Sequence, residues 1–274
     1  MRSKEPKQAH NKISQETANK AVEMYAQGLT LKQVSKELKI GATTVKNYIL
    51  LSGASLRGKS ECQNKVSFNK DFFNLQDEEL AYFWGFFLGD GSVSDNNGVN
   101  RIKVAVNKKD ISILENFCQW LTIDLSNIKT YKNYSEFYLR DKLFNYKLMK
   151  KWGAVSNKTY NPILPTIKNK LILKRFLIGL IDADGHVVYG NNKGGQFQLV
   201  GNTKIMEWFI DSIKKLGYSG QIVHRTYTDK VWSRACIQNK KDLISFAKIL
   251  QVDTCDFLLD RKWHNIKDFL QNEV

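Results

Sequence analysis

Two long apolar segments with helical periodicity mark this sequence. They cover residues 81–93 (AYFWGFFLGDGSV) and 175–187 (RFLIGLIDADGHV). After each segment the pattern predicts a strand, a turn, a second strand, a helix (about 110–121 and 205–216), two further strands and a last helix, because apolar and polar residues alternate with a period of two wherever we place a strand. This order predicts an α+β protein with two αββαββα repeats, over residues 71–160 and 161–274.

The first 52 residues show a helical period of their own. Apolar spacing predicts a helix over 17–27 that ends at Gly28, a second helix capped by Thr30, and a third over 42–50. The run TLKQVSKELKIGATTVKNYI resembles the helix-turn-helix family, in which the last helix enters the major groove. Lys39 departs from the family, whose turn often has glycine. The outward residues of the third helix are Thr43, Thr44, Lys46 and Asn47.

Two interpretations of residues 1–70 stay open. Residues 1–52 form either a DNA-binding module or a small helical bundle that docks on the rest of the chain. Residues 53–70 are rich in Ser, Gly and basic residues and predict a linker. In that linker Arg57 and Lys59 either follow phosphates or belong to a plain solvated tether.

Composition narrows the class of protein. The chain of 274 residues carries 42 Lys and Arg against 27 Asp and Glu, a net charge of +15, which favours a polyanionic partner. Residues 1–70 hold 13 of the basic and 5 of the acidic residues, so half of the excess lies in the first quarter. The four cysteines show no metal-ligand spacing, which argues against zinc and for reduced thiols. No run of about 18 apolar residues predicts a membrane helix, so we expect a soluble intracellular protein.

Small residues recur four positions apart in both apolar segments. They are Gly85 and Gly89 in the first, and Gly179 and Ala183 in the second. Such a stripe lies on one helix face and lets two backbones approach closely, so we expect the two helices to pack on each other. The alternative is two ordinary core helices with incidental glycines. Against it, a glycine inside a helix costs about 1 kcal/mol relative to alanine.

An aspartate followed by glycine ends each predicted helix. Asp90 and Asp184 are 94 positions apart and occupy the same place in each copy. The negative end of the helix dipole disfavours a carboxylate there, and two carboxylates at one end of a helix pair repel each other. A divalent cation would offset both penalties, and Mg²⁺ prefers one or two carboxylates completed by water and phosphate.

These motifs resemble the LAGLIDADG homing endonuclease family. LIGLIDADG (177–185) matches its signature at eight of nine positions, and FWGFFLGDG (83–91) is a looser copy. The resemblance implies a DNA-binding saddle made of two four-stranded sheets, with the two helices as the interface. It also implies metal binding by Asp90 and Asp184, together with Gly89 and Ala183. The family's earlier acidic position is mainly structural; here it is Asp182 in one copy and Leu88 in the other.

The resemblance implies further site residues. Asn107 and Asn202 end equivalent strands, where relatives often place a polar residue near metal-bound water. Lys142 and Lys240 lie near later strand ends, where relatives often place a lysine that polarises water or the scissile phosphate. Strand 101–107 alternates between apolar and polar positions, and its polar face suits major-groove reading, although a solvated face is the default. The side chains expected to contact DNA from the sheets are Arg101, Lys103, Tyr138, Arg140, Gln196, Gln198, Arg225 and Arg234.

The expected activity is hydrolysis of both strands of a long, asymmetric duplex DNA site by a monomer with two or three Mg²⁺ ions. No membrane and no obligate protein partner is expected. Two alternatives stay open: a DNA-binding regulator that has lost cleavage, and an intron RNA maturase on the same fold. An intein is not expected, because Met1 is not a splicing nucleophile and the end, QNEV, lacks His-Asn. As a mobile, intron-encoded or phage-borne element, the protein is expected in bacterial cytoplasm near the nucleoid, or in an organellar matrix.

Overall fold

The computed structural model describes residues 14–56, 68–96, 99–141, 150–155, 157–190 and 194–272, and for residues 95, 96, 99, 100, 140 and 141 only the backbone. The chain divides into two compact units, residues 1–65 and 66–274. In the described part of the chain, no helix combines the length and the apolar character needed to cross a bilayer.

The first unit contains three described helices: α1 (Gln15–Ala26), α2 (Leu31–Leu38) and α3 (Ala42–Leu51). Thr30 begins α2 with a capping box, in which its side chain accepts from the backbone of Gln33 and the Gln33 side chain accepts from the backbone of Thr30. The apolar face of each helix turns inward. The buried residues of this small core are Ala21, Tyr25, Val34, Val45 and Ile49.

The turn between α2 and α3 places Lys39 in the left-handed region, with φ of 53°. A side chain pays a steric cost there that glycine does not. Two hydrogen bonds hold the turn: Ile40 N–H donates to Ser35 O (3.1 Å) and Ser35 Oγ donates to Ile40 O (2.6 Å). These hydrogen bonds stabilise the turn with a lysine at a position whose conformation favours glycine.

The second unit contains six described α-helices. The bounds are α4 (Glu78–Asp90), α5 (Ile111–Trp120), α6 (Lys170–Asp184), α7 (Thr203–Lys215), α8 (Lys240–Leu250) and α9 (Asp260–Asn272). Short 3₁₀ helices lie over Asp71–Phe73, Lys108–Asp110, Leu125–Asn127 and Val252–Thr254.

Two four-stranded antiparallel sheets accompany these helices. The first, in the order β1-β2-β4-β3, contains β1 (Gly91–Asn96), β2 (Val99–Asn107), β3 (Lys129–Thr130) and β4 (Tyr134–Asp141). The second, in the order β5-β6-β8-β7, contains β5 (Gly185–Gly190), β6 (Gly194–Asn202), β7 (Val223–Thr226) and β8 (Trp232–Ile237). The predicted α+β class with two equivalent halves is confirmed.

Helices α4 and α6 pack face to face at the centre of this unit. A methyl group at Gly85 would overlap the backbone carbonyl of Phe176, and one at Gly179 would overlap that of Tyr82. Gly89 stands equally close to Ala183. The small-residue stripe that the sequence placed on each helix thus lies at the closest approach of the two backbones.

Two segments cross between the halves in equivalent ways. Trp152, which follows the first sheet, stacks on Phe176 of the second half at 6.1 Å. Phe257, near the end of the chain, packs edge-on against Tyr82 of the first half at 5.2 Å. Each half is therefore completed by the other, and the two form one core.

Some parts of the chain differ from the predicted elements or lie outside the described residues. The last helix of the first repeat was predicted in a region that includes residues 142–149, outside the described residues. The second half ends in two helices, α8 and α9, where one was predicted. Cys118, Cys236 and Cys255 are free, buried thiols, whereas Cys62 lies outside the described residues.

Candidate functional site

Asp90 is the last residue of α4 and Asp184 is the last residue of α6. The next residue in each case, Gly91 or Gly185, begins a strand in extended conformation. A Cβ atom at Gly89 would lie 2.9 Å from a carboxylate oxygen of Asp184, which belongs to the opposite helix. The two helices therefore bring both carboxylates to the same end of their interface.

Loss of solvating water raises the pKa of both aspartates. The carboxylates still reach solvent, but protein atoms from both halves crowd around them. For Asp184, burial and then the charge of Asp90 raise the pKa to about 6, against the pull of two lysines. For Asp90, burial raises the pKa, and the two lysines again oppose it. A pair of carboxylates with raised pKa values stabilises a bound cation, because the ion relieves the same electrostatic cost.

The first of these lysines is Lys158, which lies at the C-terminal end of α4. Its ammonium donates to three consecutive carbonyl oxygens, those of Phe87 (2.7 Å), Leu88 (2.6 Å) and Gly89 (2.6 Å). Burial lowers its pKa to about 8, while Asp184 and Asp90 act in the opposite direction. A cation at the negative end of the helix dipole offsets the repulsion that the dipole exerts on Asp90.

The second is Lys262, on α9, which does the same for α6. Its ammonium donates to the carbonyl oxygens of Ile181 (3.0 Å), Asp182 (2.6 Å) and Gly185 (2.7 Å). Burial lowers its pKa. No pattern in the sequence points to either lysine, because each lies far along the chain from the aspartate beside which it packs.

A cavity of about 170 Å³ opens beside Asp184. It is lined by residues of both halves, among them Gly89, Lys158, Asp184, Asn202 and Trp232. A carboxylate, an ammonium group and a buried amide thus share one partly enclosed cavity, where electrostatic interactions are stronger than in bulk water.

The two predicted asparagines have different surroundings. The buried Asn202 lines this cavity, and its side-chain amide donates to Thr159 O (2.9 Å) while its oxygen accepts from Lys204 N–H (2.9 Å). Asn107 ends the equivalent strand, but its side chain is exposed and accepts from Lys109 N–H (3.0 Å). The structure places only Asn202 in the cavity with an aspartate.

Asp182 is buried and serves the core. Its carboxylate accepts from Tyr82 Oη (2.8 Å), Leu259 N–H (2.7 Å) and Trp263 Nε1 (2.7 Å). Three donors satisfy it, and they come from both halves of the unit. This arrangement agrees with the structural role that the sequence resemblance implied.

The predicted catalytic lysines lie elsewhere or outside the described residues. Lys240 begins α8, and its ammonium lies over the rings of Tyr189 (4.9 Å) and Phe269 (5.6 Å). Tyr189 is four residues beyond Gly185 along β5, so Lys240 stands at the far end of the hairpin from Asp184. Lys142 lies outside the described residues. The lysine charges that act on the aspartates are those of Lys158 and Lys262.

The open face of the first sheet is a network of charged and aromatic side chains. The guanidinium of Arg101 lies 4.4 Å from the ring centre of Tyr138. Lys129 Nζ donates to the Tyr138 hydroxyl (3.3 Å), and Lys103 forms an ion pair with Glu136. Arg101 faces the backbone of Arg140 across the strands, but the side chain of Arg140 lies outside the described residues.

The open face of the second sheet carries glutamine and arginine side chains. Gln196 is exposed and Gln198 half-buried, with Gln198 opposite His186 on β5. Arg225 and Arg234 stand opposite each other on β7 and β8. Gln196, Gln198 and Arg234 alternate with buried residues along their strands, and Arg225 pairs with Arg234. The predicted sheet contacts with described side chains therefore lie on the open faces.

In the first unit, Thr43, Lys46 and Asn47 are exposed on α3 and Thr44 is half-buried. They lie on the face opposite Val45 and Ile49, which enter the core. Arg57 and Lys59 lie outside the described residues.

Asp90 and Asp184 are the carboxylates that the described residues bring together at this helix end. Within the described residues, no three His, Cys, Asp or Glu side chains group together as a metal site would. Of the backbone carbonyls predicted to assist, that of Gly89 already accepts from Lys158. One carboxylate from each half, completed by water and phosphate oxygens, is nonetheless a donor set that Mg²⁺ accepts.

Two curated proteins are similar to this chain. A DNA polymerase of Acanthamoeba polyphaga mimivirus is 29% identical over an alignment of 184 residues, in a match that covers 63% of this chain. A replication factor C small subunit of Methanocaldococcus jannaschii is 27% identical over an alignment of 208 residues, in a match that covers 65% of this chain. The chain spans only 10% and 11% of the length of these two proteins.

Solved structures with similar folds include two homing endonucleases. The I-SmaMI LAGLIDADG homing endonuclease bound to cleaved DNA is 16% identical, with a TM-score of 0.44 over 70% of this chain and 90% of the other. The I-LtrWI LAGLIDADG homing endonuclease bound to target DNA is 13% identical, with a TM-score of 0.45 over 75% of this chain and 92% of the other.

A family model agrees with the sequence resemblance in the second half. The model described as LAGLIDADG-like domain matches residues 172–251, from the second apolar helix through α8. This range includes Asp184, Asn202 and the whole second sheet. Residues 172–251 of this chain are therefore similar to LAGLIDADG-like domains.

Proposed function

We propose that this chain is a site-specific DNA endonuclease that hydrolyses both strands of a long, asymmetric duplex in the presence of a divalent cation such as Mg²⁺. The observation that carries the proposal is the meeting of Asp90 and Asp184 at one end of the helix pair, each with a lysine at its helix end. Two equivalent halves suit two phosphodiesters, one in each strand, so a monomer suffices.

Asp90 and Asp184 would hold the metal. A divalent ion, when bound, supplies Lewis acidity at the phosphate and lowers the pKa of a bound water. The protein contributes two crowded carboxylates with raised pKa values, which favour a cation over water alone. Asn202, which lines the same cavity, would orient water near Asp184.

Lys158 and Lys262 would act on the substrate through charge. Each ammonium is fixed by three carbonyl oxygens, so its position needs no rearrangement when DNA binds. Fixed positive charges next to a phosphate stabilise negative charge that develops on its oxygens. We therefore assign them to the phosphate-facing side of the site, in place of Lys142 and Lys240.

The open sheet faces and α3 would bind DNA. The polar side chains of the two sheets reach base edges or phosphates, and the excess of basic residues supports a polyanionic partner. In the first unit, Thr43, Lys46 and Asn47 form the exposed face of the helix that follows the turn. We infer that this face contacts a second segment of the duplex.

The test begins with cleavage of a randomised duplex library by the full chain in Mg²⁺, followed by sequencing of the cut molecules. We expect enrichment of one long asymmetric site with both strands cut. Asp90→Asn and Asp184→Asn should each abolish double-strand cleavage and keep duplex binding, whereas Asp211→Asn, on the exposed face of α7, should cleave normally. Selective binding of a site without cleavage by the unaltered chain would instead indicate a DNA-binding regulator.

A further inference from the structure

Each sheet has a tight turn that carries two aromatic residues. In the first sheet Tyr131 and Tyr134 flank the turn between β3 and β4, and in the second Tyr227 and Trp232 flank the turn between β7 and β8. In both turns the amide of the first aromatic residue donates to the carbonyl of the second at 2.8 Å. The two turns are therefore equivalent elements of the two halves.

These turns lie at the inner ends of the sheets, towards the aspartates. Trp232 pairs with Asn202 across the strands, and Tyr134 pairs with Asn107 in the same way. Trp232 also lines the cavity that contains Asp184 and Lys158. A DNA strand with its phosphate at Asp184 would pass Trp232 within the adjoining nucleotides.

The two turns differ in what lies between their aromatic residues. In the first half the rings of Tyr131 and Tyr134 stack on each other, with centres 4.6 Å apart and planes at 18°. In the second half Tyr227 and Trp232 line an open groove of about 560 Å³, together with Val200, Thr228 and Asp229. Tyr227 is 45% exposed, so its ring is accessible to a ligand.

The groove is held in shape by hydrogen bonds of its turn. Asp229 Oδ1 accepts from the amides of Val231 (3.0 Å) and Trp232 (3.2 Å). Thr203, at the start of α7, donates its amide to Val231 O (2.8 Å) and its hydroxyl to Lys230 O (3.0 Å). A groove formed before binding saves the entropy of ordering it.

We propose that the groove between Tyr227 and Trp232 binds one nucleobase, unstacked from the duplex next to the phosphate at Asp184. The proposal rests on the endonuclease function proposed above. Aromatic rings stack on bases of any sequence, and aromatic or apolar side chains that unstack a base step help the duplex to bend. Asp229 repels a phosphate but accepts a hydrogen bond from a base amino group, which favours a base over the DNA backbone as the occupant.

Only the second half of the unit would bind a base in this way. In the first half the Tyr131 and Tyr134 rings cover each other, so a base has no equivalent space to enter. The two halves of the target site are thus treated differently although the aspartates are equivalent. Tyr131→Ala is the matched control for Tyr227→Ala, because both are exposed tyrosines that begin equivalent turns.

The test is a set of double-mutant cycles on the full chain with the duplex selected by library cleavage. Bases near the cut are replaced one at a time by abasic residues, and each duplex is titrated with the unaltered chain, Tyr227→Ala, Trp232→Phe, Trp232→Ala and Tyr131→Ala. With the intact duplex we expect Tyr227→Ala and Trp232→Ala to weaken binding by about 5- to 100-fold, and Trp232→Phe to bind almost normally.

The decisive result is the coupling. At one position in the half-site of the second repeat, the abasic residue should remove most of the loss caused by Tyr227→Ala, and Tyr131→Ala should show no coupling there. If the duplex is bound and cleaved but no position couples to Tyr227, the subsite is refuted while the endonuclease function stands. If no duplex is selected, the endonuclease proposal fails and the subsite fails with it.

Discussion

Lys158 and Lys262 hold equivalent positions at the two aspartate-bearing helices, where each ammonium donates to three carbonyl oxygens at the helix end. Lys158 follows Asp90 by 68 residues and Lys262 follows Asp184 by 78. The accepting carbonyl groups include those of Leu88, Gly89 and Asp182, in the last turn of each helix, where carbonyl groups lack intrahelical partners. The same charges face the carboxylate pair, so one side chain serves both the fold and the site.

The first prediction concerns these two lysines. Lys262→Met and Lys158→Met should each slow cleavage of one DNA strand by about 100-fold or more, because a fixed charge beside the phosphate is lost. Nicking of a supercoiled plasmid that carries the selected site, in single turnover, separates the two strands.

Lys240→Met is the control for that experiment. Its ammonium lies over Tyr189 and Phe269, so cleavage should change little. A large loss in Lys240→Met, with little change in Lys262→Met, would support the lysine that the sequence resemblance assigned over the one that the geometry indicates.

A second prediction follows from the raised pKa of Asp184. A carboxyl group whose pKa is about 6 in the folded chain and near 4 in the unfolded chain binds its proton more tightly when folded. Its contribution is therefore most favourable below pH 4 and is lost as the pH rises through 6. In metal-free buffer Asp184→Asn should be more stable than the unaltered chain at pH 7, with the difference vanishing near pH 4.

The expected difference is about 1 kcal/mol. A shift of about two pKa units corresponds to about 3 kcal/mol, and the solvent access of the side chain reduces that value. Denaturant unfolding at pH 4, 5.5 and 7 measures it. Saturating Mg²⁺ or Ca²⁺ should stabilise the unaltered chain more than the variant, since only the former keeps both carboxylates. A variant that is less stable at every pH would contradict the prediction.

A third prediction separates Asp182 from Asp184, two residues further on. Asp182 accepts from Tyr82, Leu259 and Trp263, so Asp182→Asn turns an amide donor towards at least one of these donors. We expect a loss of about 2 to 4 kcal/mol in the free energy of unfolding, measured by urea denaturation. Asp184→Asn should instead lose cleavage without any loss of stability, so equal losses of stability in the two variants would count against these separate roles.

The sequence predicts much of the helix interface because the interface depends on local periodicity. Gly85 and Gly179 stand four residues before Gly89 and Ala183, and a four-residue spacing fixes one helix face. The aspartates follow from the same helices, since each ends one of them. In these elements a short stretch of chain determines the geometry.

The lysines could not be found in the same way. Lys158 lies in a turn after the first sheet and Lys262 lies in the first turn of the last helix, and no local pattern joins either to an aspartate. Tertiary packing between the two halves brings each lysine to its aspartate, and a local sequence pattern does not report that packing. Lys240 was predicted from its place near the end of β8, but that strand ends opposite Phe197, and the register of β5, β6 and β8 puts this end away from Asp184.

A fourth prediction tests the closest approach of the helices. Gly179→Ala places a methyl group against the backbone of Tyr82, which cannot move away without shifting α4. We expect a loss of about 1 to 3 kcal/mol, measured by denaturant unfolding, together with reduced cleavage, since the aspartates end the same helices. Gly201→Ala is the control, because its methyl group meets only the flexible end of Met206. Similar losses in both variants would mean that the helix interface has room to adjust.

The last prediction concerns the first unit, which forms its own core around Val34, Val45 and Ile49. Because residues 1–65 and 66–274 are separate compact units, a chain that begins at Val66 should still fold and cleave. If α3 contacts DNA through Lys46 and Asn47, this deletion should shorten the footprint at one end of the site and weaken binding without moving the cut. If Lys46 contacts the DNA backbone, Lys46→Ala in the full chain should weaken binding to all sequences and lower the salt dependence by about one phosphate contact. If Asn47 reads a base edge, Asn47→Ala should relax the preference at one base pair. Footprinting and salt titration of these variants separate the two contributions. An unchanged footprint after the deletion would leave the first unit as a helical bundle without a role in DNA binding, and the whole of the specificity would then belong to the two sheets.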